Sequence, residues 1–233
     1  MTGRRPAQLK RTARRRTMLQ WSALPVATGL ILTGHTWWGV GLIIAATFVM
    51  GYGILSGRTS MFGPVVRTMK EADGRNDGVW LTIDDGPHPD TTPRLLDVLE
   101  REGAVATFFL IGSRAEINAE LVREIQRRGH GIANHTQTHP SASFWILGAR
   151  SMWREIAFAQ VTLENITHQR PKWFRAPVGH YNIQTHPVAK TLGLRIASWT
   201  CRGYDTVRTD VPKILATLKK GLKPGAVIVI HDV

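Results

Sequence analysis

The sequence predicts an α/β domain on a parallel sheet or barrel, preceded by a membrane-embedded N-terminal segment. Two patterns carry that expectation. Beyond residue 79, short apolar runs alternate with segments of helical period, as successive β-α units require. Ahead of them, residues 18–55 form a stretch of 38 residues without Lys, Arg, Asp or Glu. At roughly 20 apolar residues per bilayer crossing, that stretch has room for two spans.

Seven basic residues open the chain: Arg4, Arg5, Lys10, Arg11, Arg14, Arg15 and Arg16. A break at Gly34, His35 and Thr36 divides the uncharged stretch into spans at 18–33, short and bearing Pro25, and at 37–55. Trp37 and Trp38 stand where an interfacial aromatic belt belongs. Arg58, Arg67 and Lys70 follow the second span, so the positive-inside rule favours a hairpin with both ends, and the domain, in the cytoplasm. A single span with the domain outside is the alternative. Residues 15–19 loosely resemble a twin-arginine export signal, but the apolar stretch is too long for a simple signal peptide and lacks a small-x-small cleavage site. The expected organisation is a basic N-terminus, membrane anchor and linker over 1–70, then the folded domain over 71–233.

Within that domain a polar linker, 71–78, leads to a first strand at 79–83. Thr92 and Pro93 read as the N-cap and first residue of a helix carrying Leu95, Leu96, Val98 and Leu99 and ended by Gly103. Residues 106–111 form the second strand. A helix over 115–128 stops at Gly129, and 132–134 is a third strand-like piece. Residues 147–166 are helical, with Met152, Ile156, Ala159 and Leu163 on one face. Further strands are expected at 173–176, 194–199 and 226–230, with a helix at 211–220 between the last two.

The net charge of +13 is not a property of the domain. Residues 1–70 hold ten of the 30 Lys and Arg and none of the 17 acids, which leaves a balance of +3 over 71–233. A nucleic-acid partner would call for a basic face with interleaved aromatics on the folded part, and no such patch is visible. No obligate protein partner is indicated either. Cys201 is the single cysteine, so no intrachain disulfide forms, and it reads as a small buried hydrophobe.

The chemistry gathers at strand ends. Asp84 and Asp85 follow the first strand and are stopped by Gly86 and Pro87. Successive side chains there point in different directions, so one acid can bind a metal while the other acts as a base. His135 and His139 follow the third strand at a spacing that suits a metal with nitrogen ligands. Arg175 follows another strand, and His231 ends the last one. In parallel α/β folds this edge is where binding and catalysis sit. Each motif alone is weak, and the bland readings are a capped turn or surface histidines; the set together is strong.

In that order the motifs resemble the polysaccharide deacetylase family, the NodB-homology domain of carbohydrate esterase family four. Thr82-Ile83-Asp84-Asp85-Gly86-Pro87 matches its Thr-Phe-Asp-Asp-Gly-Pro motif with Ile for Phe. His135 to His139 matches His-x-x-x-His, Arg175 to Gly179 matches Arg-x-Pro-x-Gly, and Val229-Ile230-His231 matches Leu-x-His with Val for Leu. The fourth motif, Asp-x-x-Asp-Trp, is degraded to Arg202, Gly203, Tyr204, Asp205 and Thr206. The resemblance covers residues 79–233 and implies a deformed (β/α) barrel of the NodB type with a metal at its C-terminal strand edge.

Position by position, the resemblance implies Asp85, His135 and His139 as ligands of a divalent metal, zinc first and cobalt second. It implies Asp84 as general base, Arg175 as its ion-pair partner, His231 as general acid, and Asp205 as the retained acid that tunes either of the last two. Pro177, Val178, Gly179 and Val229 would form the substrate-binding wall, with the Val178 backbone N–H adding to the oxyanion site. The expected function is removal of acetyl from an N-acetylated sugar in an oligosaccharide, polysaccharide or lipid-linked glycan, by a catalytic domain held at membrane lipid. The alternative is a catalytically impaired, membrane-anchored glycan-binding protein on the same fold. His88 and His180 border the motifs, and Trp145, Trp153 and Trp173 are expected in the core.

Overall fold

Strand β1 (Trp80–Asp84) lies inside a parallel sheet, flanked by β2 (Ala106–Leu110) and β7 (Val227–His231). Adding β3 (Gly131–Asn134), β4 (Trp173–Phe174), β5 (Arg195–Ile196) and β6 (Cys201–Arg202) gives seven strands in the order β5-β4-β3-β2-β1-β7-β6. The computed structural model describes residues 23–56, 59–75 and 77–233. The basic cluster at 1–17, the twin-arginine-like residues 15–19, the start of the first expected span and Arg58 lie outside the described residues.

Chain connectivity forces the sheet to curl. β5 and β6 stand at opposite edges of the strand order, yet only residues 197–200 join them. Six inter-strand steps in a flat sheet would separate those edges by about 29 Å. Five Cα steps reach about 18 Å at most. The two edges must therefore approach each other, and the result is the deformed barrel that the sequence led us to expect.

Helices cover the outside. They are α4 (Thr91–Arg101), α5 (Gly112–Ile117), α6 (Ala119–Arg127), α7 (Ala149–Thr167), α8 (Thr185–Thr191) and α9 (Val211–Gly221), after the shorter α3 (Met69–Asp73). Alternation along β2 assigns the faces. Ala106, Phe108 and Leu110 join Leu96, Val122, Ile125 and Leu163 in an outer core under α4, α6 and α7. Phe109 points the other way, to Ala133 and Ala197 inside the barrel.

Several expectations are corrected in detail. Helix α4 starts at Thr91, with Asp90 as N-cap; the Thr92 hydroxyl instead accepts the His88 N–H and donates to Asp232. The helix expected over 115–128 is two helices, because Asn118 leaves helical geometry (φ −116°, ψ 44°) and its side chain donates to the Arg114 carbonyl. Strand β6 lies outside every strand the pattern marked, and β5 keeps two residues of the expected six.

The expected linker also belongs to the domain. Phe62 and Val65 are core residues, Val66 bridges Ala197, Thr68 bridges Ala226, and Arg195 donates to the carbonyls of Glu71 and Ala72 in α3. Further upstream, α1 (Ala23–Leu32) and α2 (Thr36–Leu55) pack so closely at Gly39 that a Cβ there would sit 2.6 Å from the Ala27 carbonyl oxygen. Helix α2 has 20 residues, about 30 Å of helix, which by length and composition suffices to cross a bilayer.

Candidate active site

Parallel register places the functional side chains at one level. Asp84 pairs with His231 across β1 and β7, and Asn134, just before His135, pairs with Phe174, just before Arg175. Thr82 and Asp84 point into the barrel while Ile83 points to the outer core. Asp85 then takes a left-handed conformation (φ 73°), rare for a residue with a side chain, and Arg114 donates to its carbonyl oxygen at 2.8 Å.

Arg175 fills the barrel interior and is completely buried. Its Nη1 donates to Asp84 Oδ1 at 2.6 Å and to Thr82 Oγ1 at 2.8 Å, and its Nη2 donates to the Ser198 carbonyl at 3.1 Å. The Phe109 ring lies 4.1 Å beneath the guanidinium. Burial pulls the Arg175 pKa down and Asp84 opposes it. Asp84 is thus ion-paired through Oδ1, with its Oδ2 left toward His135 Nε2 at 4.0 Å.

The histidine loop is built by side chains that cap one another. Asn134 Oδ1 accepts the Thr136 N–H at 2.9 Å, and Thr136 Oγ1 accepts the His139 N–H at 3.1 Å. Glu155 of α7 accepts both the N–H and the hydroxyl of Thr138. The two imidazole rings end 4.8 Å apart, each with Nε2 at 3.2 Å from Asp85 Oδ1.

These three residues fit a divalent cation. Their donor atoms all lie within 4.8 Å of one another. Asp85 Oδ1 is buried without a hydrogen-bond partner. His135 Nδ1 lies 2.8 Å from the Arg175 carbonyl oxygen, which assigns the ring proton to Nδ1 and leaves the Nε2 lone pair for a ligand bond. Burial works against charge on Asp85, but His135 and His139 outweigh it and hold the carboxyl well below its usual range. Burial and the neighbouring His135 push His139 down to about 4. For His135, burial is overcome by Asp84 and Asp85, which raise its pKa; the field at this point attracts positive charge.

His231 faces the same space from β7. Asp205 Oδ1 lies 3.0 Å from its Nδ1, and Asp205 Oδ2 accepts its backbone N–H at 2.7 Å. Between these groups opens a small pocket walled by Val178, Gly179, Val229, Trp199, Arg202 and Thr206. A Cβ on Gly179 would meet the Trp199 ring at 2.3 Å, and φ is +76°, so only glycine fits there.

A family model described as polysaccharide deacetylase matches residues 71–197. The chain belongs to the polysaccharide deacetylase family. It is similar to a chitooligosaccharide deacetylase of Sinorhizobium fredii, with 32% identity over 168 residues, 72% of this chain and 77% of that one. Among solved structures it is similar to a family 4 carbohydrate esterase from Streptomyces lividans in complex with acetate (TM-score 0.63, 34% identity, 68% of this chain and 81% of that one). It is also similar to a carbohydrate esterase family 4 pseudoenzyme from Bacillus anthracis (TM-score 0.64, 25% identity), covering 68% of this chain and 56% of that one.

The family motifs meet at one pocket, since Asp84, Asp85, His135, His139 and His231 all line it. Pro177 is buried and begins the turn that presents Val178 and Gly179. Of the degraded fourth motif, Asp205 holds His231, while Arg202 and Thr206 stand in the wall. Outside the pocket, His88 caps its own turn through Asp90 N–H, Trp173 packs on Trp80, and Trp153 packs on the core. Cys201 is buried against the Leu218 carbonyl.

Three contributors escape the motif reading. Asp232 is buried, accepts the hydroxyls of Thr91 and Thr92, and donates its N–H to the Asp84 carbonyl at 2.9 Å. It ties β7 to the turn that carries Asp84 and Asp85. Arg114 braces Asp85 from α5. Trp199 forms the wall behind Gly179, and its place as the last residue of the strand expected over 194–199 is the signal for it.

Proposed function

We propose that the protein is a metal-dependent amidase that removes the acetyl group from an N-acetylated sugar of an oligosaccharide, polysaccharide or lipid-linked glycan. One observation carries the reading: Asp84 and His231, the proposed base and acid, lie side by side on adjacent strands, each held by a charged partner of its own. Asp84 is paired with Arg175, and His231 is paired with Asp205, across the Asp85–His135–His139 cluster. A fold kept only for glycan binding has no use for both pairs, so the complete set favours catalysis over an impaired relative.

Asp84 takes a proton from the attacking water, and Arg175, which donates to its Oδ1, aims that carboxylate. The His231 ring, oriented by Asp205 at Nδ1, delivers a proton from Nε2 to the leaving nitrogen. The products are acetate and the free amine. A divalent cation held by Asp85, His135 and His139, zinc first and cobalt second, would polarise the acyl oxygen and acidify the water. The Val178 N–H is the proposed further oxyanion donor, and Val229 and Gly179 shape the acetyl pocket.

We also assign the protein to the membrane through α2, with α1 completing a hairpin. The close contact at Gly39 supports that hairpin, and the basic residues on both sides favour a cytoplasmic domain. Amine release from N-acetylglucosamine oligomers by the metal-loaded protein, against Asp84→Asn, tests the activity; wild-type protein that binds N-acyl sugars without cleaving them would overturn it. A topology reporter fused after Val233 tests the sidedness.

A further inference from the structure

Arg202 enters the pocket wall without a counter-charge. Among the described residues no carboxylate lies within ion-pair distance of it, and its Nε is buried with no acceptor. Asp205, three residues on, is committed to His231. Aromatic rings hold the guanidinium instead, at 5.5 Å from Trp199 and 5.0 Å from Tyr204. Arg208 lies 5.0 Å from the same Tyr204 ring and adds a second cation. His180 supplies no opposing charge; burial and the Arg202 charge both lower its pKa. A planar fork steadied by aromatic faces, in the pocket lining and without a counter-charge, suits an anion with two or more oxygens.

We propose that Arg202 is a specificity-determining residue that binds a phosphate or carboxylate group carried by the N-acylated sugar close to the reacting amide. The inference rests on the deacetylase reading above and narrows its substrate class to anionic sugars. Position supports it. Arg202 pairs with Val229, two residues before His231, which is about 7 Å along the strand and comparable to one sugar ring.

Two kinds of sugar offer this chemistry: a glycosyl phosphate, as in a lipid-linked glycan, and a sugar bearing a carboxylate. The anchor favours the first. The Ile54 carbonyl at the end of α2 accepts the Tyr181 N–H at 3.4 Å, two residues past the pocket residue Gly179. A phosphate tethered to lipid would therefore be presented near the pocket loop.

The test uses the metal-loaded full chain and three probes: N-acetylglucosamine 1-phosphate, N-acetylmuramic acid and the neutral methyl N-acetylglucosaminide. Amine release and calorimetric binding are measured on wild type, Arg202→Gln and Arg202→Lys. Wild type should favour at least one anionic probe over the neutral one by about ten- to a hundred-fold in kcat/KM, mainly through KM. Arg202→Gln should erase that ratio, and Arg202→Lys should keep part of it. A ratio taken on one preparation does not depend on the fraction folded. Preference for the phosphate over the carboxylate assigns the glycosyl phosphate, and the reverse assigns the acidic sugar. A wild-type ratio near one, or a ratio that Arg202→Gln leaves within two-fold, overturns the inference. If no probe releases amine, the deacetylase reading fails; the anion site then stands or falls on whether tighter binding of an anionic probe is lost in Arg202→Gln.

Discussion

Asp205 holds His231 at two points, the ring Nδ1 at 3.0 Å and the backbone N–H at 2.7 Å, so one carboxylate fixes both the position and the tautomer of the proposed acid. The ring is left with Nε2 toward the pocket. Asp205→Asn removes the carboxylate that orients the ring and fixes its tautomer. It should lower kcat by about ten- to a hundred-fold, as loss of an orienting partner does, with little change in KM. Steady-state kinetics of both folded proteins check this; an unchanged kcat would mean that Asp205 is only structural.

The same carboxylate makes a prediction about acid stability. Burial opposes its charge, but the hydrogen bonds and charge of His231 hold its pKa below the ordinary 3.8. The unfolded chain therefore takes up this proton first as pH falls. The contribution of Asp205 to stability is complete above about pH 4 and drains below it, through the folded-state value. Urea midpoints measured from pH 6 to pH 3 should fall more steeply for wild type than for Asp205→Asn.

Metal binding is expected to register as stability as well as activity. At a metal concentration a hundred times Kd, linkage predicts about 2.7 kcal/mol of added stability. Zinc should raise the unfolding midpoint of the chelator-treated protein, with cobalt as the second metal to test. Asp85→Ala should abolish the rise and the bound metal found by elemental analysis. Unchanged metal content in Asp85→Ala would place the ion elsewhere.

Much of this site was legible because chemistry and strand ends coincide. Asp84, Asp85, His135 and His231 each follow an apolar run, and parallel register brings such ends to one level without knowledge of the strand order. Asp232 was illegible for the converse reason: its partners Thr91 and Thr92 lie about 140 positions away in sequence, and neither looks unusual there. The short strands β5 and β6 carry two residues each, too few to display a period. The polar character of 71–78 suggested a linker, since nothing in its composition reveals that Arg195 and the bridges at Val66 and Thr68 fasten that region to the barrel. The break at Asn118 depends on a single side-chain bond to Arg114.

Arg175 and Asp84 are 0% and 3% exposed, so removing one partner strands a charge in the barrel. Arg175→Met should destabilise the fold by about 3 to 5 kcal/mol. The double variant Asp84→Asn/Arg175→Met should recover a good part of that loss, since no charge is then left unpaired. Denaturant titration of the four proteins of the cycle gives the coupling directly. Equal losses for the single and double variants would show that the pair does not act as a unit.

The end of α2 is fastened to the domain, not merely tethered. Met50 and Ile54 pack on the core that contains Phe62 and Tyr181, Tyr181 donates its hydroxyl to the Thr59 carbonyl, and Thr59 Oγ1 donates to the Gly53 carbonyl at 3.3 Å. Gly53 permits this contact, because a Cβ there would lie 2.4 Å from the Met61 sulfur and 3.1 Å from the Phe62 ring. Met61 is flexible and can move aside, but Phe62 is buried and has no such freedom. Gly53→Val should therefore cost about 1 to 3 kcal/mol by overpacking, and Gly53→Ala less. Because Tyr181 follows the pocket loop, the strain should reach the site as well, raising KM while the bound metal stays. Thermal unfolding and kinetics of the detergent-solubilised full chain measure both, and a Gly53→Val protein with wild-type midpoint and KM would mean that the helix end is free of the domain.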